Sequence, residues 1–295
     1  MNHPSLYLLA SVTTLVSGHY VFSKLIVEGK TTQDSEYIQE NSNGYMPTLA
    51  PDILSNDFRY NKGSIDSAAK TKVYTVAPGA EIDFQLAYGA TMKHSGPLQI
   101  YMPKATGDIK VYDGPGGWFK VYQEGVCSDI SGGLKNTDWC TWDRDTASFE
   151  NTPPGQYLVR VEHIGIHRGF SGNADFYFTC AQIEVTASGS GSPGPLVKIP
   201  GVYKPEVPNI HFNTYSPVRI TSYDLPSPSA YNAAAASPAT PTTLVTVSKV
   251  SSTPVPRSPA APTYTCSTNG TIKKYMRSGA GTTCREWSPY YSQCV

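Results

Sequence analysis

Between Tyr20 and about Val185 the chain alternates apolar and polar residues over short runs, as in Ile82-Asp83-Phe84-Gln85-Leu86, Leu98-Gln99-Ile100-Tyr101 and Tyr157-Leu158-Val159-Arg160-Val161. A period of two turns successive side chains to opposite faces, so each run reads as a strand with one face in a core. Clusters such as Pro153-Pro154-Gly155 punctuate the runs, and no sustained 3.6-residue period argues for a helical layer. The fold class predicted is all-β: an immunoglobulin-like antiparallel β-sandwich with long loops.

Around this core the composition changes in steps. From Gly189 to Leu225 the alternation is lost among Pro and Tyr residues, which reads as an extended tail wrapping the sandwich. Residues 226–262 narrow to Pro, Ala, Ser, Thr and Val; such a segment buries too little apolar surface to offset its ordering entropy, and it is expected to be a disordered, O-glycosylated linker. Residues 263–295 are a small cysteine-containing terminal module with an N-glycosylation sequon at Asn269-Gly270-Thr271. At the other end, Leu6 to Val16 are apolar but too few to span a bilayer, and Val16-Ser17-Gly18 offers the small residues of a cleavage site. Residues 1–18 therefore read as a secretory signal peptide and 19–225 as the main domain of an extracellular protein.

Lys plus Arg equals Asp plus Glu at 23 each, and no basic run occurs, which argues against nucleic acid and membrane surfaces as partners. Twenty Tyr stand against nine Phe and four Trp. A tyrosine ring tolerates water while offering a stacking face, as a carbohydrate binder requires.

Cleavage after Gly18 would make His19 the first residue, joining a free α-amine to an imidazole. The amine, with a reference pKa of about 7.7 to 8.0, can give up its proton to a metal near neutral pH, and imidazole suits copper. A third nitrogen is offered by His94, in a Lys93-His94-Ser95-Gly96-Pro97 turn after the strand starting at Ile82.

Several segments then occur in a telling order: His19-Tyr20, Ser55-Asn56-Asp57, His94-x-Gly96-Pro97 followed by Gln99-Ile100-Tyr101, Trp118-Phe119-Lys120-Val121, Pro154-Gly155-Gln156-Tyr157, Glu162-His163-Ile164-Gly165-Ile166-His167, Phe176-Tyr177-x-x-Cys180-Ala181-Gln182-Ile183 and Ile199-Pro200-Gly201-Val202-Tyr203. Over residues 19 to about 222 this closely resembles the auxiliary-activity family 9 lytic polysaccharide monooxygenases, formerly glycoside hydrolase family 61. The resemblance implies a single copper ion held by His19 and His94 with Tyr177 as axial oxygen neighbour, and His167, ahead of His163, as the histidine that hydrogen-bonds the reacting oxygen. It also implies an oxidoreductase that cleaves β-1,4-glucosidic bonds of cellulose or a related β-glucan, acting as a monomer with an external electron donor and O2 or H2O2. A hydrolase would need two carboxylates flanking the bond, and no motif points to such a pair. Tyr20, Tyr45, Tyr203 and Tyr215 are candidates for a flat substrate face, Tyr203 first among them because of its segment.

The chain departs from the family at three places. Tyr60 stands where the family has the cysteine that pairs with the equivalent of Cys180. Cys127 and Cys140 bracket a Gly-rich insertion and are expected to pair locally, a link from either to Cys180 being the alternative. The terminal module resembles a fungal-type family 1 carbohydrate-binding module, which implies Tyr264, Tyr290 and Tyr291 as stacking rings and a Cys266–Cys284 disulfide; Ser278 replaces a cysteine and leaves Cys294 alone. Finally, Asp175 replaces a glutamine on the same strand side as Tyr177, close to the expected copper. An alternative reading follows from it, a secreted copper- or polysaccharide-binding protein with little turnover.

Overall fold

In the run Ile82–Leu86 the alternation becomes a pleat, with Ile82, Phe84 and Leu86 buried and Asp83 and Gln85 half-buried. The computed structural model describes residues 18–149, 154–186 and 193–231, together with the backbone of 284–288 and 291–294. Its strands are β1 (Phe22–Val27), β2 (Lys30–Thr31), β3 (Thr48–Leu49), β4 (Tyr74–Val76), β5 (Ile82–Leu86), β6 (Leu98–Pro103), β7 (Trp118–Glu124), β8 (Thr146–Phe149), β9 (Gly155–Gly165) and β10 (Asp175–Val185). A second unit, Ala239–Val295, holds β11 (Cys284–Ser288) and β12 (Tyr291–Cys294).

Two open sheets form the sandwich. One runs β2-β1-β5-β8 and the other β3-β10-β9-β6-β7. All pairings are antiparallel save one: β4 joins β10 in parallel, Tyr74 opposite Ile183. Leu25, Phe84 and Val27 of the first sheet pack on Ile100, Val159, Val161 and Ile183 of the second, and this apolar layer is the main core. Burying each such side chain contributes roughly 1.5–3 kcal/mol before entropy is counted.

The other face of the second sheet is not wet. Loops and the tail cover it with a second core containing Phe58, Tyr60, Trp118, Leu158, Phe176, Phe178 and Tyr203. The polar alternates of β9 are consequently buried and must find partners. Arg160 and Glu162 pair at 2.7 Å, both fully buried, and the Arg160 guanidinium lies between the rings of Phe178 and Phe58, at 4.1 and 4.8 Å.

The tail holds on past residue 225, the expected end of the domain. Tyr231 donates its backbone N–H to the carbonyl of Lys120 at 2.6 Å and sets its ring edge-on to Phe119. A disulfide joins Cys127 to Cys140 with Cα atoms 5.1 Å apart, and it closes the loop between β7 and β8. Cys180 is free and buried. Tyr60 packs in the same cluster where the family pattern has a cysteine, and burial pushes the Cys180 thiol up to about 12, so it stays protonated and unreactive.

In the second unit β11 and β12 pair antiparallel with Cys284 opposite Cys294. Cys266, Tyr264, Tyr290 and the side chains of Tyr291 and Cys284 lie outside the described residues, as do residues 1–17 and most of the expected linker. Among the described residues no helix is long and apolar enough to cross a membrane.

Candidate metal centre

The turn that carries His94 is fixed by contact rather than by regular structure. A Cβ on Gly96 would lie 1.8 Å from the carbonyl oxygen of Ile164, so only glycine lets this turn close on β9. Backbone bonds from Ile164 N–H to Pro97 O and from Ile166 N–H to Ser95 O complete the seam. One residue along, Gly165 pairs with Asp175 across the β9–β10 ladder. A side chain at 165 would meet Cβ of His94 at 3.1 Å and Nδ1 of His167 at 3.4 Å. The missing side chain is therefore the space in which the site is built.

His19, His94 and Tyr177 converge here from the chain preceding β1, the turn preceding β6, and β10. Ring centroids are 6.2 Å apart for His19 and His94, 6.3 Å for His19 and Tyr177, and 5.5 Å for His94 and Tyr177. His167 lies stacked on His94 at 4.3 Å. Gly18 lies beside the same ring, where a Cβ would be 3.5 Å from Cε1 and 3.7 Å from Nε2 of His94.

The electrostatics keep the donors neutral. Burial, with His167 adding to it, pushes His94 down to about 4, so at neutral pH its imidazole carries a free lone pair. Burial also lowers His167 and raises Tyr177 well above the usual phenol range, so Tyr177 remains an uncharged oxygen. Nε2 of His94, Nδ1 of His167 and the hydroxyl of Tyr177 are all buried without a hydrogen-bond partner. Each such atom costs about 1–3 kcal/mol if left unsatisfied. A metal ion reached by the lone pairs of His94 and Tyr177 would account for two of them, and the residues present fit copper by donor type.

A second grouping overlaps the first: ligand atoms of His94, His167 and Asp175 lie within 4.8 Å of one another and could hold a metal ion. Asp175 is already engaged, however. Its Oδ1 accepts from Arg168 and its Oδ2 lies 3.4 Å from His167 Nε2.

His163 is placed apart from His167. It faces the inter-sheet core, where its Nδ1 bonds the hydroxyl of Tyr20; burial pushes it down to about 3. Tyr20 itself is buried and stacks on Tyr177 at 4.2 Å, which removes it from the substrate face.

Tyr203 is also misassigned by the sequence reading. It is only 3% exposed and donates to Glu162 Oε1 at 2.7 Å while bonding Gln99 and Tyr101. The buried Glu162 carboxylate draws the tyrosine inward. Of the proposed surface rings Tyr45 and Tyr215 are exposed, and they pair with Tyr88 and Phe170 respectively. Phe170, Tyr88, Met46 and Arg168 were not singled out from sequence. The available signal was adjacency: Arg168 follows His167, and Met46 follows Tyr45. A cleft of about 300 Å³ lined by His19, Met46, Pro47, Leu49, His167, Arg168 and Asp175 opens at the centre.

Fold and site together define a β-sandwich with a candidate metal centre beside an open cleft. Residues 19–223 match the model of Auxiliary Activity family 9 (formerly GH61). The chain is 70% identical to AA9 family lytic polysaccharide monooxygenase G of Aspergillus tamarii, over 100% of this chain and 99% of that one. It is 40% identical to AA9 family lytic polysaccharide monooxygenase A of Aspergillus fumigatus, over 79% and 83%. Among solved structures, a cellulose-active polysaccharide monooxygenase from M. thermophila superposes with a TM-score of 0.62 at 28% identity, covering 72% of this chain and 98% of that one. The chain belongs to Auxiliary Activity family 9, the lytic polysaccharide monooxygenases, which are copper-dependent oxidoreductases.

Proposed function

We propose that the chain is secreted after cleavage following Gly18, would hold one copper ion through the amine and imidazole of His19, the imidazole of His94 and the oxygen of Tyr177, and oxidatively cleaves β-1,4-glucosidic bonds of cellulose or a related β-glucan. The observation that carries this reading is the convergence of unpartnered buried atoms, His94 Nε2 and Tyr177 Oη, on the side where His19 stands. Copper, when bound, supplies one-electron chemistry with O2 or H2O2 that no side chain here provides. The reaction draws its electron from an external small reductant or redox protein, and the protein acts as a monomer.

The chain's own residues do the rest. His94 offers a neutral lone pair because it is buried. Tyr177, kept protonated, contributes an uncharged oxygen. His167, stacked on His94 with Nε2 3.4 Å from the Asp175 carboxylate, lines the cleft as the imidazole that hydrogen-bonds a reactant. Removal of residues 1–18 frees the amine of His19 and takes Gly18 away from the face of His94. Exposed Tyr45 with Tyr88 and Tyr215 with Phe170 supply stacking rings for a polysaccharide surface. In the terminal module Tyr264, Tyr290 and Tyr291 hold cellulose and Cys266 pairs with Cys284.

A second reading, a secreted copper- or polysaccharide-binding protein with little turnover, is favoured by the Asp175 carboxylate beside His167. Incubating the copper-loaded, His19-first chain with cellulose, a reductant and O2 decides between them. The first reading gives oxidised oligosaccharides; copper binding without oxidised products leaves the second.

A further inference from the structure

Asp175 brings a carboxylate, its side chain 1% exposed, beside His94, whose burial keeps it neutral. Its two oxygens meet different partners. Oδ2 faces His167, and Oδ1 accepts from NH2 of Arg168, the next residue along the chain. Among the described residues Arg168 is the charged partner, while the neutral His167 adds a contact at 3.4 Å.

The backbone commits Arg168 to this place. It precedes the short turn Gly169–Ser171, where a Cβ on Gly169 would lie 2.4 Å from the carbonyl oxygen of Ile210, so the turn cannot slide. Its guanidinium remains 47% exposed in the cleft beside His19 and Met46. The charge is therefore near the centre without a full desolvation cost, and guanidinium does not lose its proton.

A bare carboxylate beside a copper ion favours Cu(II) over Cu(I) by adding negative charge in a partly water-excluded site. A guanidinium bonded to that carboxylate cancels the effect. We propose that Arg168 is a positioning residue that neutralises Asp175, so that the two act as one uncharged unit and the Cu(II)/Cu(I) balance stays where neutral side chains at both positions would set it. This rests on the copper reading above and deepens it. The carboxylate at 175 then ceases to be a sign of lost turnover, because its charge does not reach the metal alone.

The test is the reduction potential of the copper-loaded, His19-first chain for wild type, Arg168→Gln, Asp175→Asn and the double variant. Arg168→Gln is expected to shift the Cu(II):Cu(I) affinity ratio about tenfold toward Cu(II), which is ~59 mV lower for one electron. Asp175→Asn, which leaves the guanidinium charge uncompensated beside the centre, is expected to shift the ratio by a similar factor toward Cu(I). An unchanged potential in Arg168→Gln, or a potential in Asp175→Asn that is not raised, overturns the proposal. If Arg168→Gln alone does not fold, the double variant still decides. It should match wild type within about threefold, and a difference of tenfold or more overturns the charge cancellation. Copper stoichiometry separates the layers: a wild-type chain that takes up no copper overturns the copper reading, whereas one equivalent bound with potentials that the single variants leave unmoved overturns only the role of Arg168.

Discussion

The hydroxyl of Tyr20 and Nδ1 of His163 form a buried hydrogen bond between residues 143 positions apart, tying the chain entering β1 to the C-terminal end of β9. His163 is neutral in the fold because burial pushes it down to about 3, while the unfolded chain protonates it near 6.5. Its contribution to stability is complete above pH 6.5 and is lost as pH falls toward 3. The slope is about 1.4 kcal/mol per pH unit, and His94, pushed down to about 4, acts in the same direction. Urea unfolding of the metal-free protein between pH 6.5 and 4 should therefore show falling stability, and His163→Gln should flatten the slope by about one proton. An unchanged slope in that variant would mean His163 is not buried in neutral form.

Gly165 is the floor of the site. Gly165→Ala places a methyl 3.1 Å from Cβ of His94 and 3.4 Å from Nδ1 of His167, and the tight β9–β10 pairing leaves little room to yield. Copper affinity by calorimetric titration is expected to fall by about 10–100-fold, the usual cost of disturbing the groups that orient a ligand. Affinity equal to wild type would show that His94 is not positioned by this contact.

Tyr203 and Tyr215 should behave oppositely. Tyr203→Ala removes a core ring and leaves buried Glu162 and Gln99 without a partner, so unfolding free energy should drop by roughly 3–5 kcal/mol. Tyr215, 68% exposed, should cost less than about 0.5 kcal/mol when replaced by alanine but reduce retention on cellulose. Thermal melts and pull-down on cellulose read the two effects separately. A destabilised Tyr215→Ala, or a stable Tyr203→Ala that loses cellulose, would reverse the assignment.

Because Tyr231 still packs on Phe119 and Lys120, a truncation that spares the sandwich must fall after it. Ending the chain at Pro238 is expected to leave copper binding and melting temperature unchanged while lowering cellulose retention, if Tyr264, Tyr290 and Tyr291 bind cellulose. Retention equal to the full chain would mean that the module is inert.

The sequence made the β-sandwich readable where one strand face is apolar, as in β5. It misled where both faces are covered: Arg160 and Glu162 alternate like solvent-facing residues, yet loops bury them against Phe58 and Phe178. The parallel partner β4 has only three residues, too short for any period to register. His19, His94, His167 and Tyr177 were legible through ordered motifs, and Asp175 through strand alternation. Arg168 was not, because its role depends on a turn folding back on the next strand. Tyr203 was misread for the same kind of reason, since its partner Glu162 lies 41 residues away in the chain.

The central claim is that His19 becomes a copper chelate by processing. Cu(II) titration of a chain beginning at His19 and of one retaining Gly18 tests it most directly. With Gly18 present the amine is spent in a peptide bond and the glycine lies against the His94 ring. The account predicts one tight equivalent in the first chain and affinity lower by on the order of a hundredfold or more in the second. Equal affinity in the two chains would contradict it.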